Sequence, residues 1–237
     1  MLLEVIATNL ADAIAAERSG AQRIELVTGM LEGGLTPSIG LIEETIRSVS
    51  IPVNVMVRPH SLSFVYGAED IRTMRADIRA IRKSGAAGIV IGALTADRKI
   101  DSAVLRVLIA EAEQLDITFH RAFDEAEDQF EALELLASFP QISRVLTSGG
   151  QPSALRAMGR IRSLVEASEG TNLRILAGAG LTVEALKEFI RQTGAPEVHF
   201  GSSVRQEGHS LLPIVPERIE AIRSIFEELE QERGSEA

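Results

Sequence analysis

The 237-residue chain contains no cysteine. That excludes disulfides, thiolate metal sites and thiol nucleophiles together, and it fits a reducing compartment such as the cytoplasm. Tryptophan is absent and aromatics make up 4% of the residues, so the 45% hydrophobic content is mostly Ile, Leu, Val and Ala, the composition of buried parallel strands under helices. Lysine is confined to Lys83, Lys99 and Lys187 and the net charge is −10. Nucleic acid, which needs clustered basic residues, is therefore not an expected partner. None of these lysines falls on a strand-like run, which argues against a Schiff-base aldolase. No stretch approaches the roughly eighteen apolar residues of a membrane span, and no basic segment precedes the apolar run Leu2–Ala7, so neither a membrane nor secretion is expected. Thr8-Asn9-Leu10-Ala11-Asp12 follows that run, where a dinucleotide-binding chain would place its glycine fingerprint.

What is present is alternation. Short apolar or β-branched runs recur at Leu2–Ala7, Arg23–Thr28, Val53–Arg58, Gly88–Leu94, Ile117–Arg121, Arg144–Ser148, Arg174–Gly178 and Glu197–Gly201. Each is followed by an amphipathic stretch, at Leu10–Ser19, Ile39–Ser48, Ile71–Lys83, Val104–Glu113, Phe130–Phe139, Leu155–Glu166, Val183–Gln192 and Pro216–Glu232. Asp101, Ser153 and Thr182 stand where helix N-caps belong, and Gly20, Gly85 and Gly194 where helices stop,. Eight strand-helix units with no spare segment predict an α/β chain forming a single (β/α)8 TIM barrel over residues 1–237, with residues 226–237 as a frayed acidic tail,.

Charges within strands buried on both faces need a reason. Period 2 directs Glu4, Glu25, Arg58, His120 and His199 into the barrel, with Asn54, Met56 and Thr118 beside them,. Burying such charges singly costs several kcal/mol, so pairing of a glutamate with Arg58 or with histidine is expected. A purely structural ion-pair layer is the plainer reading, above all for Glu4. His120 and His199 lie near the carboxyl ends of their strands, where barrel active sites are built. Candidate catalytic residues are thus Glu25, His120, Arg121 and His199. For an anion, the small residues after strands six to eight offer Thr147, Ser148, Gly149, Gly178, Gly180, Gly201 and Ser202, with Arg58 and Arg121 as countercharge,. Gly is also the ordinary residue of a tight turn. The segment Glu32–Ser38 reads as an ordered turn into a helix, and His60, Phe64 and Tyr66 as a lid over the mouth, whereas His209 reads as a surface residue,.

The segments Phe119–Asp124 (FHRAFD), Arg144–Gly149 (RVLTSG), Glu32–Ser38 (EGGLTPS), Ala177–Gly180 and Glu197–His199 together resemble the CutC family, across essentially the whole chain. The resemblance implies a cytoplasmic barrel, often oligomeric, associated with copper homeostasis and copper binding. Many members carry Cys within the first two strands, where Ile6 and Val27 stand here, and the RPRGG segment is Arg58-Pro59-His60-Ser61-Leu62. Soft Cu(I) prefers thiolate or thioether, and this lumen offers Met56 beside two imidazoles. Two classes of function follow. One is a metal-handling protein in which Glu25, His120 and His199, with Glu4, bind copper or another divalent ion. The other is an isomerase, epimerase or lyase in which Glu25 or His120 acts as base on a small anionic or phosphorylated substrate.

Overall fold

The computed structural model describes residues 1–235. Eight strands, β1 (Leu2–Ala7), β2 (Arg23–Leu26), β3 (Val53–Met56), β4 (Gly88–Ile91), β5 (Asp116–Phe119), β6 (Ile142–Thr147), β7 (Arg174–Gly178) and β8 (Glu197–Phe200), close into a parallel barrel in chain order. Closure pairs Leu2 with Glu197 and Glu4 with His199 across β1 and β8. The helices between them are α1 (Leu10–Arg18), α2 (Ile39–Ser48), α3 (Ala68–Ser84), α4 (Ser102–Ala112), α5 (Gln129–Ala137), α6 (Met158–Ser168), α7 (Val183–Thr193) and α8 (Pro216–Ser235). This is the expected (β/α)8 barrel. The outward strand positions, among them Leu3, Val5, Ile24, Leu26, Val55, Ile89, Ile117, Phe119, Val198 and Phe200, join one apolar layer beneath the helices. No described helix is long and apolar enough to cross a membrane.

Local chemistry accounts for the element ends. Asp101 accepts from Ala103 and Val104 at the start of α4, and Thr182 accepts from Ala185 at the start of α7,. Gly85 and Gly194 end α3 and α7 in the left-handed region,. Ser153 caps a short 3-10 turn, Ala154–Arg156, so α6 starts at Met158 and not at the expected Leu155.

Strands β3 and β5 stop short of Arg58 and His120, which the apolar pattern had included. The Arg58 N–H goes to Thr36 Oγ1 instead of to β4, and His120 opens a 3-10 turn over Arg121–Glu125. The tail is also corrected. Residues 226–235 continue α8, because Phe226 and Leu229 are buried and α7 supplies cations to its acidic side, with Lys187 Nζ 2.6 Å from Glu228 and Arg191 Nη2 2.7 Å from Glu232. Residues 236 and 237 lie outside the described residues.

Candidate functional site

The lumen is stratified. Its amino-terminal half holds a chain of alternating charge. Glu4 Oε2 lies 2.5 Å from Arg23 Nε, Arg23 Nη2 2.5 Å from Glu197, and Arg144 Nε 3.3 Å from Glu197, while Arg144 Nη1 ends the chain on Asp116. Arg144 also donates to Thr118 Oγ1 at 3.2 Å. Each buried charge here has a partner of opposite sign, which makes this the layer that holds charge within the barrel without isolating it.

Above it, the other oxygen of Glu4 lies 2.8 Å from His199 Nδ1, and His199 Nε2 faces Glu25 Oε2 at 3.8 Å. Burial works to raise the Glu4 carboxyl, but Arg23 and His199 outweigh it and hold Glu4 down at about 2,. Glu25 has no such neighbour on its free side. Burial pushes its carboxyl up to about 7, Glu4 adds to the rise, and His199 and Arg23 only partly oppose it. For His199, burial works downward, yet the facing Glu25 and the bond to Glu4 leave it raised. Glu25 and His199 therefore titrate as a pair joined through one short gap. Glu25 Oε1 is buried and without a protein partner.

The carboxyl-terminal half opens into a cavity of 470 Å³. Glu25, Arg58, Phe64, His120 and His199 line it, with Met30 and Met56 on its apolar side. Arg58 Nη1 donates to the carbonyls of Glu32 and Gly34 at 2.9 and 3.3 Å, so the Glu32–Ser38 turn positions this guanidinium. The Phe64 ring lies under the Arg58 guanidinium at 4.6 Å and beside the His120 ring at 4.9 Å. The His60 and Tyr66 rings meet at a 54° tilt in the same loop, but only Phe64 of the three lines the cavity. His209 is exposed.

His120 is close-packed on its strand side. A Cβ built on Gly92 would come within 2.5 Å of Nδ1, so the absent side chain makes room for the ring. Gly92→Ala should displace the imidazole and cost about 1–3 kcal/mol, an overpacking effect. Chemical denaturation reads the cost, and the His120 ring resonances in NMR read the displacement.

The loop after β6 differs from expectation. Asp124 Oδ1 accepts from Thr147 Oγ1 at 2.5 Å, from Ser148 N at 3.1 Å and from Gly150 N at 3.0 Å, and Oδ2 accepts from Ser148 Oγ at 2.8 Å. Gly149 N donates to Thr147 Oγ1 at 2.9 Å. The donors of Thr147 and Ser148, expected to hold an anion, already surround a carboxylate of the chain, that of Gly149 is taken by Thr147, and none of the three lines the cavity. Arg121 completes this cluster, its Nε on Asp124 and its Nη2 on Ser148, while part of its side chain reaches the cavity rim. Gly178 packs against Leu146 and His199, where a Cβ would sit 2.8 Å from Leu146 Cδ1. Gly180, Gly201 and Ser202 do line the cavity.

Among the described residues, ligand atoms of Glu4, Glu25 and His199 lie within 4.8 Å of one another, the arrangement a cation needs. Of the four candidate ligands, His120 is the one outside this group. The floor residues Arg23, Asp116, Arg144 and Glu197 were missed in the sequence, although Arg23 shares the parity of Glu25 and Glu197 that of His199.

Comparison with known proteins agrees along most of the chain. A model of the CutC family matches residues 1–204. A mouse protein named copper homeostasis protein cutC homolog is 42% identical over 198 residues, covering 84% of this chain and 72% of its own. A CutC family protein of Caulobacter vibrioides is 44% identical over 206 residues, covering 86% and 83%. The crystal structure of CutC from Streptococcus agalactiae superposes with a TM-score of 0.80 at 30% identity, over 84% of this chain and 97% of that one.

Proposed function

The chain belongs to the CutC family, and within that family we propose that it is an acid–base enzyme that moves a proton on a small polar molecule held in the lumen cavity. The observation that carries this reading is Glu25, a buried carboxyl of the cavity lining with one oxygen unpartnered among the described residues and the other facing His199. A purely structural carboxylate at this depth would have its lone pairs satisfied, as those of Glu4 are,. With its carboxyl near 7, Glu25 can give or accept a proton near neutral pH,. Glu4 orients His199 from behind, and Arg58, Gly180, Gly201 and Ser202 surround the space in which an anionic portion of the substrate would sit.

Copper fits the same residues poorly. The chain offers no thiolate, and the two thioethers near the cavity pack with Val27, Val90 and Ile6 in an apolar cluster,. A second reading rests on the convergence of Glu4, Glu25 and His199, whose oxygen and imidazole donors suit Zn(II), Mn(II) or Cu(II),.

A thermal-shift titration against phosphorylated sugars and hydroxy acids, and separately against Cu(I) under reducing conditions, Cu(II), Zn(II) and Mn(II), tests both readings. A ligand at about 100 times its Kd stabilises by about 2.7 kcal/mol. The acid–base reading expects an organic ligand to raise the midpoint of the native chain and to lose that effect in Glu25→Gln. If only a metal does so, the second reading replaces it.

A further inference from the structure

We propose that His120 donates its Nε2–H to the carbonyl oxygen of the substrate, and that the substrate is a small α-hydroxy ketone or aldehyde whose α-carbon gives its proton to Glu25. The inference rests on the acid–base reading above and adds the substrate class.

His120 Nδ1 accepts the backbone N–H of Ala122 at 3.1 Å. A ring nitrogen that accepts carries no proton, so the proton of the neutral imidazole is assigned to Nε2. That atom is buried and has no hydrogen-bond partner among the described residues. Phe64 and Gly92 fix the ring plane, the one by contact and the other by leaving room. Burial, with Arg58 next to it, drives the imidazole down to about 3, so the ring stays neutral through the physiological range. In this state Nε2 is a donor only. It offers no lone pair to a metal and no site to take a proton, and both roles open to His120 in the sequence give way to a third.

Three buried polar atoms without a hydrogen-bond partner among the described residues belong to side chains that line one cavity. They are His120 Nε2 after β5, Arg58 Nε after β3 and Glu25 Oε1 on β2, in side chains 3%, 7% and 3% exposed. Two are N–H donors and the third is a base. The complementary ligand carries an oxygen able to take two hydrogen bonds and, next to it, an acidic hydrogen. A carbonyl with an acidic α C–H meets both conditions. Its oxygen gains negative charge as the proton leaves, so the donors bind more strongly in the transition state than in the ground state.

The step balances without an oxidant. The Glu25 carboxylate takes the α-proton. The C–H electron pair becomes the C=C bond, and the carbonyl π pair moves onto the oxygen held by His120 and Arg58. Glu25 then returns the proton to the neighbouring carbon, while the hydroxyl proton passes to the former carbonyl oxygen. The net change is a 1,2-shift of hydrogen.

The test has two arms. In D2O, dihydroxyacetone, dihydroxyacetone phosphate and erythrulose are followed by proton NMR with native chain, Glu25→Gln and His120→Leu. We expect catalysed loss of α-proton signal that disappears in Glu25→Gln and falls roughly 100- to 1000-fold in His120→Leu, the loss typical of one oxyanion donor. In the second arm, 15N NMR of the imidazoles should show His120 protonated at Nε2, unprotonated at Nδ1 and without titration between pH 5 and 9. A proton on Nδ1, or titration in that window, overturns the donor assignment. If none of the three probes exchanges above buffer, the substrate class is overturned. The acid–base reading is judged apart from both, by whether Glu25→Gln abolishes the ligand response in the thermal titration.

Discussion

Arg23→Met should lower the stability of the barrel by about 3–5 kcal/mol, the cost typical of removing one partner from a buried ion pair. Among the described residues, Arg23 alone bridges Glu4 and Glu197, at 2.5 Å to each. Without it Glu4, fully buried, keeps only His199, and Glu197 keeps only Arg144 at 3.3 Å. Methionine fills much of the volume, so the loss reads charge and not cavity. For a chain of this length, about 2–4 °C per kcal/mol corresponds to a fall in midpoint of roughly 6–20 °C. The same bond makes stability acid-sensitive. The folded carboxyl of Glu4 lies at about 2, below its ordinary 4.5, so its contribution is complete above pH 4.5 and is lost as pH falls toward 2,. In Arg23→Met, with His199 as the remaining partner, that loss should be smaller and should end at a higher pH. Urea denaturation between pH 3 and 7 measures both effects. A change below 1 kcal/mol at pH 7 would show that the floor network carries no net stability.

The barrel was legible because its period is simple. Strict alternation of strand and helix needed no tertiary information, and period 2 separated Leu3 and Val5 from Glu4, and Ile24 and Leu26 from Glu25. The same parity, applied to the amino ends of the strands, would have found Arg23 and Glu197. Partners were another matter. Arg144 meets Asp116 on the neighbouring β5 and Glu197 two strands away on β8, and no spacing in the chain encodes which of them a side chain reaches. The FHRAFD segment shows how a motif can be read and its roles misassigned. Arg121 looks like a countercharge for an anion, but it pairs with Asp124, which fills the β6 loop from 26 residues away, and His120 Nδ1 accepts one backbone N–H in a turn whose first residues apolar patterning had read as strand. The acidic tail was misjudged because composition was read without the cations that α7 brings to it.

Glu25→Gln should make the protein more stable at pH 8 and leave it nearly unchanged at pH 4.5. Burial places the folded carboxyl at about 7 against an ordinary 4.5, so the folded state holds this proton more tightly than the unfolded chain. The contribution of the group is fully present below pH 4.5 and is lost as pH rises through 7. At about 1.36 kcal/mol for each tenfold change in proton affinity, a rise from 4.5 to about 7 is worth roughly 3 kcal/mol. His199 faces the carboxylate and recovers part of that when charged, and Glu4 and Arg23 are the other charges nearby. The expected gain for glutamine at pH 8 is therefore about 1–3 kcal/mol. The raised His199 loses its own contribution in the same direction as pH rises, which adds to the loss from Glu25. Stability lost to a group kept for its chemistry is the usual signature of a functional site. Chemical denaturation of both chains at pH 4.5, 6, 7 and 8 decides the matter. A gap that opens with pH in favour of Glu25→Gln places Glu25 among the working residues. A variant less stable at every pH makes Glu25 part of the ion-pair scaffold, and the acid–base reading falls with it.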